Sequence, residues 1–356
     1  MPNATLTRAI DALASRRDLS ADETADVLNE IMHGAVSETQ IAGFLIALRT
    51  KGETVDELAG LARTMRELAA HVPTKRDDLL DTAGTGGGQR TFNVSTTAAL
   101  IAAGAGCAVA KHGNRSATSA SGSADLLEAL GARIDLDPQA VARCIEEAGF
   151  GFMFAPAHHQ ATRFVVPVRR ELAVRTIFNL LGPLTNPAGA RRQVIGVSDA
   201  SFLDTIAGAL ARLGVDRALV VAAEDGLDEL SIVAATKVVE VNGDELERYT
   251  LAPGDVGIEP VAAEVLERDC AGGAPEHNAA VTRAIFDGDG DATRPSASAQ
   301  LAVINAGAAI YAAGAADSIA DGVQAARAAL SDGRAAQALD RYVRASRSLA
   351  PSRAAP

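Results

Sequence analysis

The sequence predicts an α/β protein made of a small all-helical domain and a large domain with a mostly parallel central sheet flanked by helices. Its 356 residues exceed the length at which a single hydrophobic core usually stops growing, so two domains are expected. The N-terminal region carries helix-start signals and helical apolar spacing without a strand pattern. After Pro73, short apolar runs alternate with helical segments, which favours a parallel sheet.

The helical prediction rests on capping boxes, in which a hydroxyl and a side chain three residues later satisfy free backbone N–H groups. Three occur in a row: Ser20-x-x-Glu23, Ser37-x-x-Gln40 and Thr54-x-x-Glu57. Apolar residues then recur at helical spacing, as in Ile41, Phe44 and Leu48. We expect residues 1–73, together with about 166–190, to form the small helical domain.

The large domain is predicted from apolar runs of strand length. These runs lie at 79–83, 107–110, 151–155, 193–197 and 218–222. Helical segments such as 202–213 separate them. Asp137 followed by Pro138 is a helix start, because proline suits the first helical position, and it predicts a helix over 139–148.

The C-terminal part of the large domain combines a hairpin with packed helices. Two strand-like runs flank Asn242-Gly243, so part of the sheet is expected to be antiparallel. The alanine-rich segment 296–330 predicts a pair of tightly packed helices. We expect the large domain to comprise 74–165 with about 191–348, and the tail 349–356 to be frayed.

Composition argues against several classes of partner. The net charge of −12 repels a phosphodiester backbone, and aromatics at 3% supply few stacking platforms, so no nucleic-acid partner is expected. The weakly polar stretch 97–110 is shorter than the roughly 20 residues of a membrane helix, and no secretory h-region follows Met1. We therefore expect a soluble, cytoplasmic protein without a membrane partner.

A glycine-rich loop follows the first strand of the large domain. Four glycines lie among residues 84–88, and consecutive backbone amides in such a turn can form an anion-binding concavity. Ser95 or Thr96 is expected to cap the following helix, which would direct its positive end to the same place. The spacing matches neither the P-loop nor the dinucleotide fingerprint. From the glycines alone, a flexible turn is an equally good interpretation.

A second segment favours phosphate binding over a plain turn. Lys111-His112-Gly113-Asn114-Arg115 follows a strand directly, at the sheet edge where α/β proteins bind ligands. Hydroxyl side chains at 116, 118, 119, 121 and 123 come next. This mixture suits a ribose and its phosphates better than an ordinary surface loop.

Two further segments complete the pattern. Four carboxylates lie in 224–229, and adjacent Asp228 and Glu229 are oxygen ligands of the kind Mg²⁺ takes beside substrate phosphates. An acidic loop by itself is usually only solvated, but opposite a diphosphate site the metal interpretation is better. The segment 175–187 contains Gly-Pro and Asn-Pro turns, and we interpret it as an interdomain hinge or crossing without chemistry.

Together these segments resemble the anthranilate phosphoribosyltransferase family, enzymes of tryptophan biosynthesis, from about Leu6 to Val343. The Lys-His-Gly-Asn-Arg string is highly specific, because the related pyrimidine nucleoside phosphorylases differ there. The other matching motifs are Gly52-Glu53-Thr54, the Gly-Thr-Gly-Gly loop, Asn93-x-Ser95-Thr96, residues 175–187, residues 225–229 and Asn305-Ala306-Gly307.

The resemblance implies a nucleoside phosphorylase/phosphoribosyltransferase-like fold and a homodimer formed through the helical domain. It implies transfer of phosphoribose from phosphoribosyl diphosphate to the amine of anthranilate, with release of diphosphate. Two Mg²⁺ ions are implied, served by Ser95, Asp228 and Glu229. Anthranilate would meet Gly84, Asn114, His159 and Arg169, with Arg169 pairing its carboxylate.

The positions implied to hold phosphoribosyl diphosphate come from the glycine loop, the start of the next helix and the second segment. They are Gly84, Gly87, Gly88, Thr91, Asn93, Val94, Ser95, Thr96, Lys111, His112, Gly113, Asn114, Arg115, Ser116, Ala117, Thr118, Ser119 and Ser123. An aromatic amine is neutral at pH 7, so no residue is assigned as a catalytic acid or base.

The chain also departs from the family pattern. Gly88-Gln89-Arg90 stands where the family usually has an acidic turn, and we hypothesise that Arg90 touches a phosphate instead. Thr162-Arg163 replaces a common Met-Lys pair and Ala222-Ala223 a His-Gly pair. The alternatives are a phosphoribosyltransferase for another aromatic amine, a pyrimidine nucleoside phosphorylase, or a non-catalytic nucleic-acid-binding relative. Arg169 with Asn114 favours a carboxylated acceptor.

Overall fold

The computed structural model describes residues 1–116, 120–288, 290–291 and 294–350. The helices are α1 (Ala4–Ala14), α2 (Ala21–Met32), α3 (Glu38–Lys51), α4 (Val55–Glu67), α5 (Val94–Gly104), α6 (Ser123–Ala129), α7 (Pro138–Ala148), α8 (Ala155–His158), α9 (Val166–Leu172), α10 (Phe178–Leu181), α11 (Leu203–Arg212), α12 (Ala263–Asp269), α13 (Pro275–Phe286), α14 (Ala297–Ala312), α15 (Ile319–Ser331) and α16 (Arg334–Leu349). The strands are β1 (Leu79–Gly84), β2 (Ala108–Gly113), β3 (Phe150–Phe154), β4 (Arg192–Gly196), β5 (Arg217–Ala223), β6 (Thr236–Asn242), β7 (Glu245–Leu251), β8 (Gly290–Asp291) and β9 (Arg294–Pro295).

The central sheet has the order β3-β2-β1-β4-β5-β6-β7. The first five of these strands in that order pair in parallel, and β6 and β7 add an antiparallel hairpin at one edge. The mostly parallel α/β prediction and the hairpin are therefore confirmed. Asn242 pairs with Glu245, so the two-residue turn is Gly243-Asp244 rather than Asn242-Gly243. Gly243 has φ +59°, a conformation that glycine adopts readily.

The predicted helix starts in the N-terminal region are mostly confirmed. Complete capping boxes form at Ser20 and Thr54. Ser37 caps α3 by accepting from the amide of Gln40, but the Gln40 side chain does not accept from the backbone amide of Ser37. Its Oε1 instead accepts from the backbone amide of Asn3 at 2.9 Å, which ties α3 to the start of α1. The prediction of a third capping box is wrong for that reason.

Two cores lie on opposite faces of the sheet. On β5, Leu219 and Val221 join the core beneath α5 and the C-terminal helices, whereas Ala218 and Val220 face the other core. That second core also contains the buried side chains of the N-terminal helices and of α11. The helical part therefore packs continuously onto one face of the sheet.

The carboxyl ends of β1, β2, β4 and β5 lie along one sheet edge, because these strands are parallel. The structure extends β2 beyond the predicted strand 107–110, so Lys111, His112 and Gly113 belong to the strand and not to the loop after it. Of the helices in the described part of the chain, none has the length and apolar character needed to cross a membrane.

Candidate active site

The glycine loop leaves β1 at the sheet edge and turns back to α5. Gly86 and Gly87 have φ of +66° and +93°, a region in which glycine is favoured. The amide of Thr85 donates to the carbonyl of Gly196 on β4 at 2.9 Å, which anchors the start of the loop. The loop therefore takes its conformation from glycine and from the neighbouring strand.

Helix α5 begins at Val94, so the predicted cap at Ser95 or Thr96 is wrong. Asn93 occupies the cap position without a side-chain capping bond. Its Oδ1 instead accepts from Asn278 at 2.8 Å and from Ser121 at 3.0 Å, which ties the loop to α13 and to the segment after β2. The N-terminal end of α5 still faces the loop, with Ser95 in its first turn.

Lys111 lies at the centre of the site and is only 1% exposed. Its Nζ donates to the carbonyl of Thr82, to the Thr82 hydroxyl at 3.2 Å, and to the Ser95 hydroxyl at 3.4 Å. Burial lowers the pKa of Lys111, and the carboxylates of Asp81 and Glu229 oppose that shift. The Lys111 ammonium thus lies near two acidic groups, Asp81 within β1 and Glu229 in the loop after β5.

Asp81 is a buried carboxylate beneath the loop, and its surroundings were not predicted. Its Oδ2 accepts from the Asn186 side chain at 2.7 Å and its Oδ1 from the His112 amide at 3.1 Å. Burial raises the pKa of Asp81, and Lys111, Asn186 and His112 each counter the shift. Asn186 therefore gives the 175–187 segment a role in supporting the site.

Asp228 and Glu229 reach the same place from the loop after β5. A Cβ built on Gly84 would lie 2.9 Å from Oδ2 of Asp228, which places this carboxylate directly against the glycine loop. Burial raises the pKa of both carboxyls, that of Glu229 to about 8, with Asp228 adding to the shift at Glu229. The lysine and the Ser95 amide partly offset the Glu229 shift.

These two carboxylates have the chemistry of magnesium ligands. Raised pKa values mean that the negative charge is poorly compensated by the protein, which a divalent cation would correct. Within the described ranges, no group of three or more His, Cys, Asp or Glu side chains is arranged to hold a metal. Mg²⁺ typically takes one or two carboxylates and completes its shell with phosphate and water oxygens.

The rings of His112 and His159 contact each other in the interior, with centroids 5.0 Å apart and planes tilted by 57°. His112 Nδ1 lies 3.2 Å from the Gly182 carbonyl and His159 Nε2 lies 3.1 Å from that of Thr185. A carbonyl can only accept, so each of these nitrogens carries the proton. Burial lowers the pKa of His112 to about 3 and that of His159 to about 4, so both rings are neutral.

The remaining acceptor residues are placed as follows. The Arg169 guanidinium lies 5.5 Å from the centre of the Phe178 ring, and burial lowers its pKa. Asn114 follows the end of β2, and its Oδ1 accepts from the Arg115 amide at 2.7 Å. Arg169 is half-buried, and no carboxylate among the described residues pairs with it, which leaves its charge for a ligand.

Arg115 is engaged by acidic side chains of α6. It forms ion pairs with Asp125 at 2.7 Å and Glu128 at 2.5 Å on α6. The Ser116 amide donates to Asp125 as well, and Ser123 begins α6 against Gly113. Ala117, Thr118 and Ser119 lie outside the described residues.

Three other predicted positions serve the frame of the site more than its surface. Val94 is buried in the core beneath α5, and Thr91 forms an isolated bridge with Ala271. The Thr96 hydroxyl is buried, with no hydrogen-bond partner found for it in the described part of the chain. Gly87 lies against Arg175 and Ser198, neither of which was predicted to be near the loop.

Comparison with known proteins agrees with this arrangement. Residues 7–69 match the helical bundle domain of a glycosyl transferase family, and residues 76–336 match its a/b domain. The chain is 50% identical to the anthranilate phosphoribosyltransferase of Rubrobacter xylanophilus over 346 residues, 97% of this chain and 98% of the relative.

Solved structures show the same relationship. The crystal structure of anthranilate phosphoribosyltransferase from Thermus thermophilus superposes with a TM-score of 0.88 at 46% identity, covering 95% of this chain and 99% of that one. The Saccharomyces cerevisiae enzyme in complex with PRPP and Mg superposes with a TM-score of 0.87 at 26% identity, covering 98% and 99%. Sequence and fold agree, and the chain belongs to the anthranilate phosphoribosyltransferase family.

Proposed function

We propose that this chain transfers the 5-phosphoribosyl group from phosphoribosyl diphosphate to the amine of anthranilate, giving N-(5-phosphoribosyl)anthranilate and diphosphate. The observation that carries the proposal is the meeting of the glycine loop, strand β2 and the loop after β5 at one sheet edge. The glycine loop supplies amides, Lys111 a cation, and Asp228 with Glu229 the carboxylates for a metal. Such a set matches a ligand that carries both phosphates and magnesium.

The diphosphate is proposed to lie between the glycine loop and the first turn of α5. Backbone amides there, together with the positive end of the helix dipole, favour negative charge. The Ser95 hydroxyl lies in that first turn and accepts from Lys111 Nζ at 3.4 Å. Asn93 is proposed to act mainly by shaping the loop, because its side-chain Oδ1 already accepts hydrogen bonds from Asn278 and Ser121.

Two Mg²⁺ ions are proposed, held by Ser95, Asp228, Glu229 and oxygens of the substrate. When bound, magnesium neutralises the charge that develops on the leaving diphosphate. The protein's own residues do the rest. Lys111 adds a fixed positive charge beside Ser95, and the loop amides hold the departing oxygens in place.

The reaction needs little proton transfer from the protein. The bond from the anomeric carbon to diphosphate breaks while the amine nitrogen of anthranilate bonds to that carbon, and the amine then loses one proton to water. An arylamine is uncharged at neutral pH, so the protein gains most by aligning the two substrates. We therefore assign no acid or base.

Arg169, Asn114, His159 and Gly84 are proposed to line the acceptor site. The half-buried guanidinium of Arg169 suits the carboxylate of anthranilate, since charge-assisted bonds strengthen where water is partly excluded. Aniline, which lacks this carboxylate, should be a far poorer acceptor. Arg169→Gln should reduce the difference in kcat/KM between anthranilate and aniline.

A homodimer through the helical part is also proposed. Ile46 on α3, Val166 on α9 and the nearby Val174 are large apolar side chains left exposed, at 37%, 42% and 45%. Light scattering coupled to size exclusion would show a mass near twice 36.5 kDa if two chains associate. A monomer at micromolar concentration would contradict this part of the proposal.

The direct test of function follows the fluorescence of anthranilate with phosphoribosyl diphosphate and Mg²⁺. We expect the fluorescence to fall only when all three components and the protein are present. No loss with folded protein would overturn the assignment. Turnover of a different arylamine, phosphorolysis of a pyrimidine nucleoside, or retention on heparin at physiological salt would each support one of the alternatives.

A further inference from the structure

We propose that Arg175 is a positioning residue that clamps the glycine loop, and that Arg49 of the helical part holds Arg175 in place. Arg175 lies after α9, 89 positions from Gly86 in the sequence. Its Nη1 donates to the Gly86 carbonyl at 2.7 Å and its Nη2 to the Thr85 carbonyl at 3.2 Å. One guanidinium therefore binds two consecutive carbonyls of the loop.

The clamp fixes the direction of a backbone amide. The peptide after Gly86 is trans, so its carbonyl and the N–H of Gly87 point in opposite directions. The Gly86 carbonyl also accepts from the Ser198 hydroxyl at 3.0 Å. With that oxygen held by Arg175 and Ser198, the Gly87 amide is turned to the side away from both.

Glycine alone would leave this amide free to rotate. Gly86 and Gly87 both have positive φ, and a turn of two such residues has many accessible conformations. Asp228 also lies against the loop, since a Cβ built on Gly84 would be 2.9 Å from its Oδ2. Two side chains therefore contact the loop: Asp228 lies against Gly84, and Arg175 binds the carbonyls of Thr85 and Gly86.

Arg49 connects the clamp to the helical part. It lies in the last turn of α3, and its Nη1 donates to the carbonyl of Arg175 at 2.7 Å. This bond holds the backbone of Arg175 and makes no contact with the loop itself. Arg49 should therefore act on the loop only through the position of the Arg175 side chain.

This inference rests on the proposed function, in which the loop receives the diphosphate. In Arg175→Met the KM for phosphoribosyl diphosphate should rise about tenfold, the effect expected from losing a charge-assisted hydrogen bond. The KM for anthranilate and the melting temperature should be unchanged, which a merely structural role would not give. Arg175→Lys should recover part of the loss, because an ammonium cannot span both carbonyls.

Arg49→Met should raise the same KM about threefold by loosening Arg175, and the double variant should behave as Arg175→Met alone. Arg143→Met, an exposed arginine paired with Glu147 on α7, is the matched control and should leave all constants unchanged. An unchanged KM in Arg175→Met, or additive effects in the double variant, would overturn the clamp.

A measurement without turnover separates this inference from the proposed function. Amide hydrogen exchange in the segment 84–91 should be faster in Arg175→Met than in wild type, and unaltered in Arg143→Met. If wild type is inactive toward anthranilate, the function fails while the exchange result still decides the clamp. Equal exchange in wild type and Arg175→Met would contradict it.

Discussion

Gly88 and Asp228 approach so closely that a Cβ on Gly88 would overlap Oδ1 of Asp228 and lie 2.9 Å from its backbone nitrogen. The glycine is needed here for space, since Gly88 has no positive φ. The loop lacks the family's usual acidic turn at this place, and the Asp228 carboxylate from the β5 side fills the adjoining space. The two loops are therefore packed as one unit.

Gly88→Ala should lower kcat/KM for phosphoribosyl diphosphate by about 10-fold to 100-fold, the range seen when a group supporting a metal ligand is disturbed. The added methyl group must displace Asp228 or the loop. Steady-state kinetics at saturating anthranilate measures the effect. Gly254→Ala is the control, because it has open space around it and an ordinary φ. Equal kinetics for both variants would contradict the close packing.

Arg90 remains the hypothesised phosphate contact. Its carbonyl accepts from the Gly272 amide at 3.0 Å, which fixes the backbone, and its side chain is exposed with no hydrogen bond found for it among the described residues. Arg90→Ala should raise the KM for phosphoribosyl diphosphate several-fold, and more at low salt, because an exposed charge is screened. Arg90→Lys should retain most of the affinity. An unchanged KM in Arg90→Ala would remove the contact.

The acidic pair should set the magnesium requirement. Asp228→Asn with Glu229→Gln removes the charge of both carboxylates while keeping their size, so the Mg²⁺ concentration for half-maximal rate should increase by at least about tenfold. Glu224→Gln, an exposed carboxylate in the same loop, is the matched control. A magnesium titration that is the same in the double variant and wild type would argue against both metal roles.

The sequence predicted well where the strands and most helices begin. It predicted less well which residues the ends of the helices contact. The α5 cap could not be located, because Asn93 caps the helix without a side-chain capping bond and its Oδ1 accepts instead from Asn278, 185 positions away. The Ser37 box failed because Gln40 finds the Asn3 backbone 37 positions earlier. A pattern of neighbouring residues cannot reveal hydrogen-bond partners that are so distant in the sequence.

The same limit applies to the site. Lys111, Asp228 and Glu229 were found because unusual side chains follow strands, and parallel strands end at one edge. Arg175 and Asn186 were missed as functional residues, since a turn-rich segment gives no local sign of its distant partners Gly86 and Asp81. The division of the chain into domains stays a prediction, because the core of the helical part continues into one face of the sheet.

The paired histidines should make folding sensitive to mild acid. The pKa of His112 falls from 6.5 to about 3 in the folded protein, and that of His159 to about 4, because both rings are buried. Below about pH 6.5 the unfolded chain therefore binds protons that the folded chain refuses. Each histidine should lower the free energy of unfolding by about 1.5 kcal/mol between pH 6.5 and pH 5, and none above pH 7.

Wild type alone cannot isolate this effect, because the raised pKa of Asp81 acts in the opposite direction: the folded protein takes up a proton there as pH falls. The readout is the difference between wild type and His112→Asn with His159→Gln, from urea unfolding at pH 7 and pH 5. From pH 7 to pH 5 each histidine contributes about 2 kcal/mol, so the double variant should lose about 4 kcal/mol less stability than wild type on acidification. The control is His33→Asn, which changes an exposed histidine after α2. This variant should lose as much stability between pH 7 and pH 5 as wild type. If the double variant loses as much stability as wild type between pH 7 and pH 5, burial does not lower the pKa of the two histidines in the folded protein.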